Sequence, residues 1–137
     1  MTGSVADGVP LPPLAGIDAD VRRALAEDIG SGDLTADLLP IDATASAHVI
    51  NREAAVICGQ RWFERCFGLV DDNVEIRWHV REGEQVVANT RLCDLRGKAR
   101  SLVTGERTAL NFLQLLSATA TTTASYVAAA AGTSTRI

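Results

Sequence analysis

A chain of 137 residues, 47% hydrophobic and 22% charged, is long enough to bury one real core and too apolar to be disordered. Its formal net charge of −4 argues against non-specific binding to nucleic acid or to an anionic membrane. Cys58, Cys66 and Cys93 are odd in number, set in apolar surroundings and form no Cys-x-x-Cys pair, so buried thiols in a reducing compartment are expected, not a metal or redox site.

The first sixteen residues contain Gly, Ser and Pro but no basic start and no continuous apolar run, and read as a loose arm, not as a secretion signal. Val21, Leu25 and Ile29 recur at helical spacing, with Asp18 placed as an N-cap for a helix over 19–29. The string Gly30-Ser31-Gly32-Asp33 stops that helix, and Asp33 is suited to cap a short restart at 34–37. Three carboxylates in 27–33 would interest a divalent cation, but the ligand alternation of a calcium loop is absent, so helix termination and capping explain them.

Alternation at Ala45, Ala47 and Val49, then at Ala54, Val56 and Cys58, predicts two short strands around 51–53. Trp62, Phe63, Cys66, Phe67 and Val70 predict a helix over 60–70. Val74, Ile76, Trp78 and Val80 predict a strand over 73–80 with one buried face. A glycine turn and an edge element at 81–87 follow, then a last short strand at 91–95. This second half has the cadence of biotinyl and lipoyl carrier modules, yet Lys98 falls at the mouth of a helix and not on a hairpin tip. Residues 99–117 predict an amphipathic helix, 119–123 a threonine-rich break, and 126–131 a second helix closed by Gly132. No stretch is apolar enough for a membrane span, and a soluble, cytoplasmic protein is expected.

The helix over 99–117 carries the strongest functional signal. At about 100° per residue, Arg100, Thr104, Arg107, Asn111 and Gln114 share one stripe, while Leu102, Val103, Ala109, Leu110, Leu113 and Leu116 lie opposite. Two guanidinium groups, two amides and a hydroxyl suit a planar anion or a surface of carboxylates or phosphates; a solvated face rich in Arg is the alternative. Glu106 falls on the apolar side of the wheel, so partial burial and an ion pair with an Arg are expected. The fold class is α+β, with an apolar circumference after 102 that asks for a further partner surface.

The strings at 26–35 (AEDIGSGDLT), 81–84 (REGE), 99–114 (ARSLVTGERTALNFLQ) and 116–120 (LSATA) resemble quinolinate phosphoribosyltransferase. The resemblance runs from about residue 17 to 137, and Glu106-Arg107-Thr108-Ala109-Leu110-Asn111 is its specific part. It implies an N-terminal α/β sandwich domain, barrel-sandwich-like, over 17–110, with 111–137 as the start of an otherwise absent α/β barrel. It also implies transfer of a phosphoribosyl group from phosphoribosyl pyrophosphate to quinolinate, with Mg²⁺, giving nicotinate mononucleotide, pyrophosphate and carbon dioxide in de novo NAD biosynthesis.

In such a homodimer or higher homo-oligomer, Arg107 would reach quinolinate in a neighbouring subunit, with Arg100, Thr104 and Asn111 as further candidates beside it. No catalytic residue or metal ligand is assigned here, because the matching positions lie beyond Ile137, so the 137 residues alone are expected to be inactive. Leu116-Ser117-Ala118 replaces the usual Leu-Ser-Gly, a mild change at a helix-packing position. A non-catalytic barrel-sandwich module of the carrier kind is the alternative.

Overall fold

The computed structural model describes residues 11–137. The expected loose arm therefore falls mostly outside the described residues. Helix α1 (Leu14–Ile29) begins earlier than its apolar repeat suggests, because Pro13 fixes the entry and residues 14–16 complete a first turn. Asp18 is consequently not a cap. It lies inside α1, accepts from Arg22 Nε at 2.6 Å, and pairs with Arg65 on another helix. The helix ends at Gly30 in a positive-φ conformation that glycine adopts without strain. Asp33 then caps α2 (Leu34–Asp37) as expected, its Oδ1 accepting from the backbone N–H of Thr35 and Ala36, each at 3.1 Å.

The strands β1 (Thr44–Ile50), β2 (Ala55–Val56), β3 (Glu75–Trp78), β4 (Gln85–Val86) and β5 (Arg91–Lys98) form two small antiparallel sheets. One has the order β1-β5-β3, the other pairs β2 with β4. The predicted strands around 51–53 both exist, but each pairs elsewhere, so they are not a hairpin. In the larger sheet Leu95 sits between Ala47 and Ile76, and Cys93 between Val49 and Trp78, giving one apolar face. Asp94, flanked by His48 and Arg77, falls on the other.

Helix α3 (Gln60–Val70) has its predicted bounds and buries Phe63, Cys66 and Phe67. The Phe63 ring stands 5.2 Å from both the Phe67 and the Trp78 rings, a herringbone that joins helix to sheet. Ile17, Val21 and Leu25 of α1 complete the core with Leu102, Ala109 and Leu113 of α4 (Ala99–Ala129). Burial of each large side chain contributes about 1.5–3 kcal/mol.

The threonine-rich break is absent: α4 is one helix of 31 residues. Thr119, Thr121 and Thr123 donate to the carbonyls four residues back, which satisfies their hydroxyls without interrupting the helix. Thr121 also accepts from Val56 N at 2.8 Å, and Ser117 exchanges hydrogen bonds with the backbone of Cys58. The polar run thus docks the edge of β2. Buried positions on α4 continue to Ser117, and beyond it Tyr126 and Val127 lie exposed. Among the described residues no helix is long and apolar enough to cross a membrane.

Candidate functional site

The polar stripe of α4 is real, and its apolar counter-face packs on α1, α3 and the sheet. Thr104, Arg107, Asn111 and Gln114 form one wall of a cleft of about 600 Å³. The facing wall is the α1–α2 connection, where Gly32, Asp33, Leu34 and Thr35 lie opposite the guanidinium. That connection reads in sequence as a helix stop alone; its membership in the same set of family-like strings as the arginine helix is the signal that joins them.

Arg100 is brought elsewhere. Its Nε donates to Leu39 O at 2.6 Å and its Nη2 to Asp37 O at 3.2 Å. The fork therefore holds the C-terminal end of α2 against the start of α4, satisfying carbonyls that a short helix leaves open. Arg107, by contrast, is exposed, and among the described residues no carboxylate lies within ion-pair distance of it.

Glu106 corrects the expectation drawn from the helical wheel. It is exposed and makes no ion pair among the described residues. Leu102, Ala109 and Leu113 are buried as the wheel requires, so the helix phase is right. What fails is the assumption that both flanks of the apolar stripe are covered. Glu106 and Leu110 border an open apolar groove of about 1010 Å³ between α4 and β1, lined on the strand side by Ala45, Ala47 and Val49. A carboxylate at that rim keeps its water and needs no buried cation.

Two polar contacts of α4, one beside the cleft and one at the end of α3, were not legible in sequence. Thr108, only 1% exposed, donates from Oγ1 to Asp28 Oδ2 at 2.5 Å and ties α4 to the end of α1. Ser101 donates to Asp71 Oδ2 at 2.7 Å, a bond that holds the Asp71 carboxyl below its ordinary range, helped by the Asn73 N–H. The thiols are unreactive by environment: burial pushes Cys66 and Cys93 up to about 12 and half-buried Cys58 up to about 11. Among the described residues no group of three or more His, Cys, Asp or Glu is arranged to hold a metal ion.

Fold and cleft together define an open-faced α+β sandwich domain that offers an unpaired arginine on a long helix. Residues 33–117 match the family model described as quinolinate phosphoribosyl transferase, N-terminal domain, and the chain belongs to that family. It is 40% identical over 126 residues to the probable nicotinate-nucleotide pyrophosphorylase (carboxylating) of Synechocystis sp., covering 92% of this chain and 43% of that one. A quinolinate phosphoribosyltransferase (decarboxylating) of Nicotiana tabacum is 34% identical over 116 residues, covering 83% and 33%. The nicotinate-nucleotide pyrophosphorylase structure from Francisella tularensis superposes with a TM-score of 0.84 at 40% identity, over 89% of this chain and 44% of that one. The chain thus spans less than half the length of these relatives.

Proposed function

We propose that this chain supplies the substrate-facing helix of an enzyme that transfers a phosphoribosyl group from phosphoribosyl pyrophosphate to quinolinate. Decarboxylation then gives nicotinate mononucleotide, with pyrophosphate and carbon dioxide released, as a step of cytoplasmic NAD biosynthesis. The observation that carries this reading is Arg107: exposed, without an ion-pair partner among the described residues, and beside Thr104 and Asn111 in a cleft of a family-typical helix. Quinolinate carries two adjacent carboxylates on a flat ring, and a planar guanidinium fork can bind one of them bidentately while the ring stacks nearby. Such a contact orients the substrate; it does not itself make or break a bond.

The phosphoribosyl and Mg²⁺ chemistry has no ligand set among the described residues: of the cleft carboxylates, Asp28 and Asp33 are engaged with Thr108 and with the start of α2, and Glu106 stands alone. In this reading Arg107 completes a site borne by a neighbouring subunit of a homodimer or larger homo-oligomer, and the remaining groups of that site belong to the barrel into which 111–137 lead. Neither nucleic acid nor membrane is a partner. A carrier module is disfavoured because Lys98 closes β5 and stands at the N-cap of α4, not on a hairpin tip. Quinolinate titration of this chain with and without a full-length homologue tests the reading: binding gained on mixing and lost when this chain carries Arg107→Ala is expected, and equal binding with either form contradicts it.

A further inference from the structure

We infer that the Thr108–Asp28 hydrogen bond is a positioning device that keeps Arg107 free for its ligand by withholding a competing carboxylate. The inference deepens the reading of Arg107 as an anion-binding residue and rests on it. The cleft that holds Arg107 is also lined by Asp28, Asp33 and Glu106. A cleft carboxylate left without a partner would compete for the guanidinium, and an arginine paired within its own chain is poorly placed to take an incoming dianion. Yet among the described residues no ion pair to Arg107 forms.

Asp33 and Asp28 are each held by hydrogen bonds, and Glu106 is set apart by its place on the helix. Asp33 Oδ1 is occupied by the backbone N–H of Thr35 and Ala36. Glu106 sits on the other flank of α4, where the cleft meets the larger groove. Asp28 is held by Thr108 Oγ1 at 2.5 Å. Thr108 follows Arg107 in sequence and so points about 100° around the helix from it, which draws the Asp28 carboxylate towards the buried side and away from the guanidinium. At a position 1% exposed, a valine would fill the same space, so what threonine adds there is the hydrogen bond to Asp28. Thr108 is therefore a positioning residue, acting on the ligand only through Asp28 and Arg107.

The test uses the 137-residue chain with ¹⁵N-labelled arginine, reading the Arg107 Nε–Hε signal of the chain alone and, mixed with an unlabelled full-length homologue, its titration with quinolinate. Thr108→Val should free Asp28 to pair with Arg107, slow solvent exchange of Hε, and weaken quinolinate binding roughly fivefold. Thr108→Ser should behave as the parent, and Thr108→Val combined with Asp28→Asn should restore both signals. Unchanged Hε exchange in Thr108→Val would overturn the inference, as would a double variant that stays weak, since the lesion would then be packing. If Thr108→Val does not fold, Asp28→Glu decides: its longer arm escapes the threonine, so slowed Hε exchange supports the inference and parental exchange overturns it. Loss of binding in Arg107→Ala with a silent Thr108→Val refutes this inference alone. Parental binding in Arg107→Ala refutes the anion reading itself.

Discussion

Glu82 closes the N-terminus of α3 from outside the helix: its Oε2 accepts from Gln60 N at 3.0 Å while Oε1 accepts from Gly59 N at 2.7 Å. Gly59, at the N-cap position with φ 105°, has no side chain for this task. A carboxylate at a helix start gains from both the open N–H groups and the helix dipole. The REGE turn at 81–84 therefore serves a helix that starts 22 residues upstream as well as the link from β3 to β4, which lie in different sheets.

Replacing Glu82 by Ala is expected to cost about 1–2 kcal/mol of stability. In urea unfolding the midpoint should fall with an unchanged slope.

Two glycine-to-alanine changes should have opposite signs. A Cβ at Gly105 would stand 2.8 Å from the Phe67 ring, which is itself wedged in the core against Phe63. Overpacking there should destabilise by about 1–3 kcal/mol. At Gly16, inside α1, an added Cβ meets nothing within 4 Å. Gly16→Ala should stabilise by about 0.5–1 kcal/mol. Thermal midpoints moving in the same direction for both would contradict this packing.

The Ser101–Asp71 bond makes a pH-dependent prediction. The Ser101 hydroxyl and then the Asn73 N–H keep the Asp71 carboxyl below 3.8, the ordinary value. A depressed carboxyl contributes stability above its unfolded-state value and loses it as pH falls through the folded one. Ser101→Ala should therefore raise the Asp71 titration midpoint, seen by carboxyl ¹³C shifts. Its stability deficit should be full at neutral pH and shrink as the pH drops below that range.

Arg100 and Arg107 should separate cleanly. Arg100→Ala removes the donors to Leu39 O and Asp37 O, so amide exchange across 34–42 should accelerate. Quinolinate affinity should stay within about twofold, since Arg100 does not line the cleft. A loss as large as that of Arg107→Ala would return Arg100 to the binding face.

Local periodicity was enough for much of this fold. The four aromatic and thiol positions 62, 63, 66 and 67 define α3, and alternation at 74–80 marks β3, although the ladder keeps only Glu75–Trp78. The stripe of Thr104, Arg107 and Asn111 was legible for the same reason: a helix fixes side-chain direction from sequence spacing alone. What spacing could not reveal were relations between distant segments. Asp18 has the chemistry of a cap, but its partner Arg65 is 47 residues away. The threonines of 119–123 have weak helix propensity, and spacing shows neither their bonds to carbonyls four residues back nor the docking of Thr121 on the edge of β2. Glu106 was misjudged because a wheel cannot show which flank of an apolar stripe is left open, and Arg100 because nothing local announces the carbonyls of α2.

Hybrid complementation measures the role of Arg107 most directly. In a full-length chain that carries these residues, Arg107→Ala alone should lower kcat/KM for quinolinate by the equivalent of about 2–5 kcal/mol and leave the phosphoribosyl pyrophosphate constants nearly unmoved. Such subunits are then mixed with subunits inactivated in the barrel but retaining Arg107. If Arg107 acts across the subunit boundary, each hybrid dimer regains one intact site, and random mixing should restore roughly a quarter of parental activity. Mixed dimers that demonstrably form and stay inactive would contradict a role for Arg107 in the neighbouring subunit.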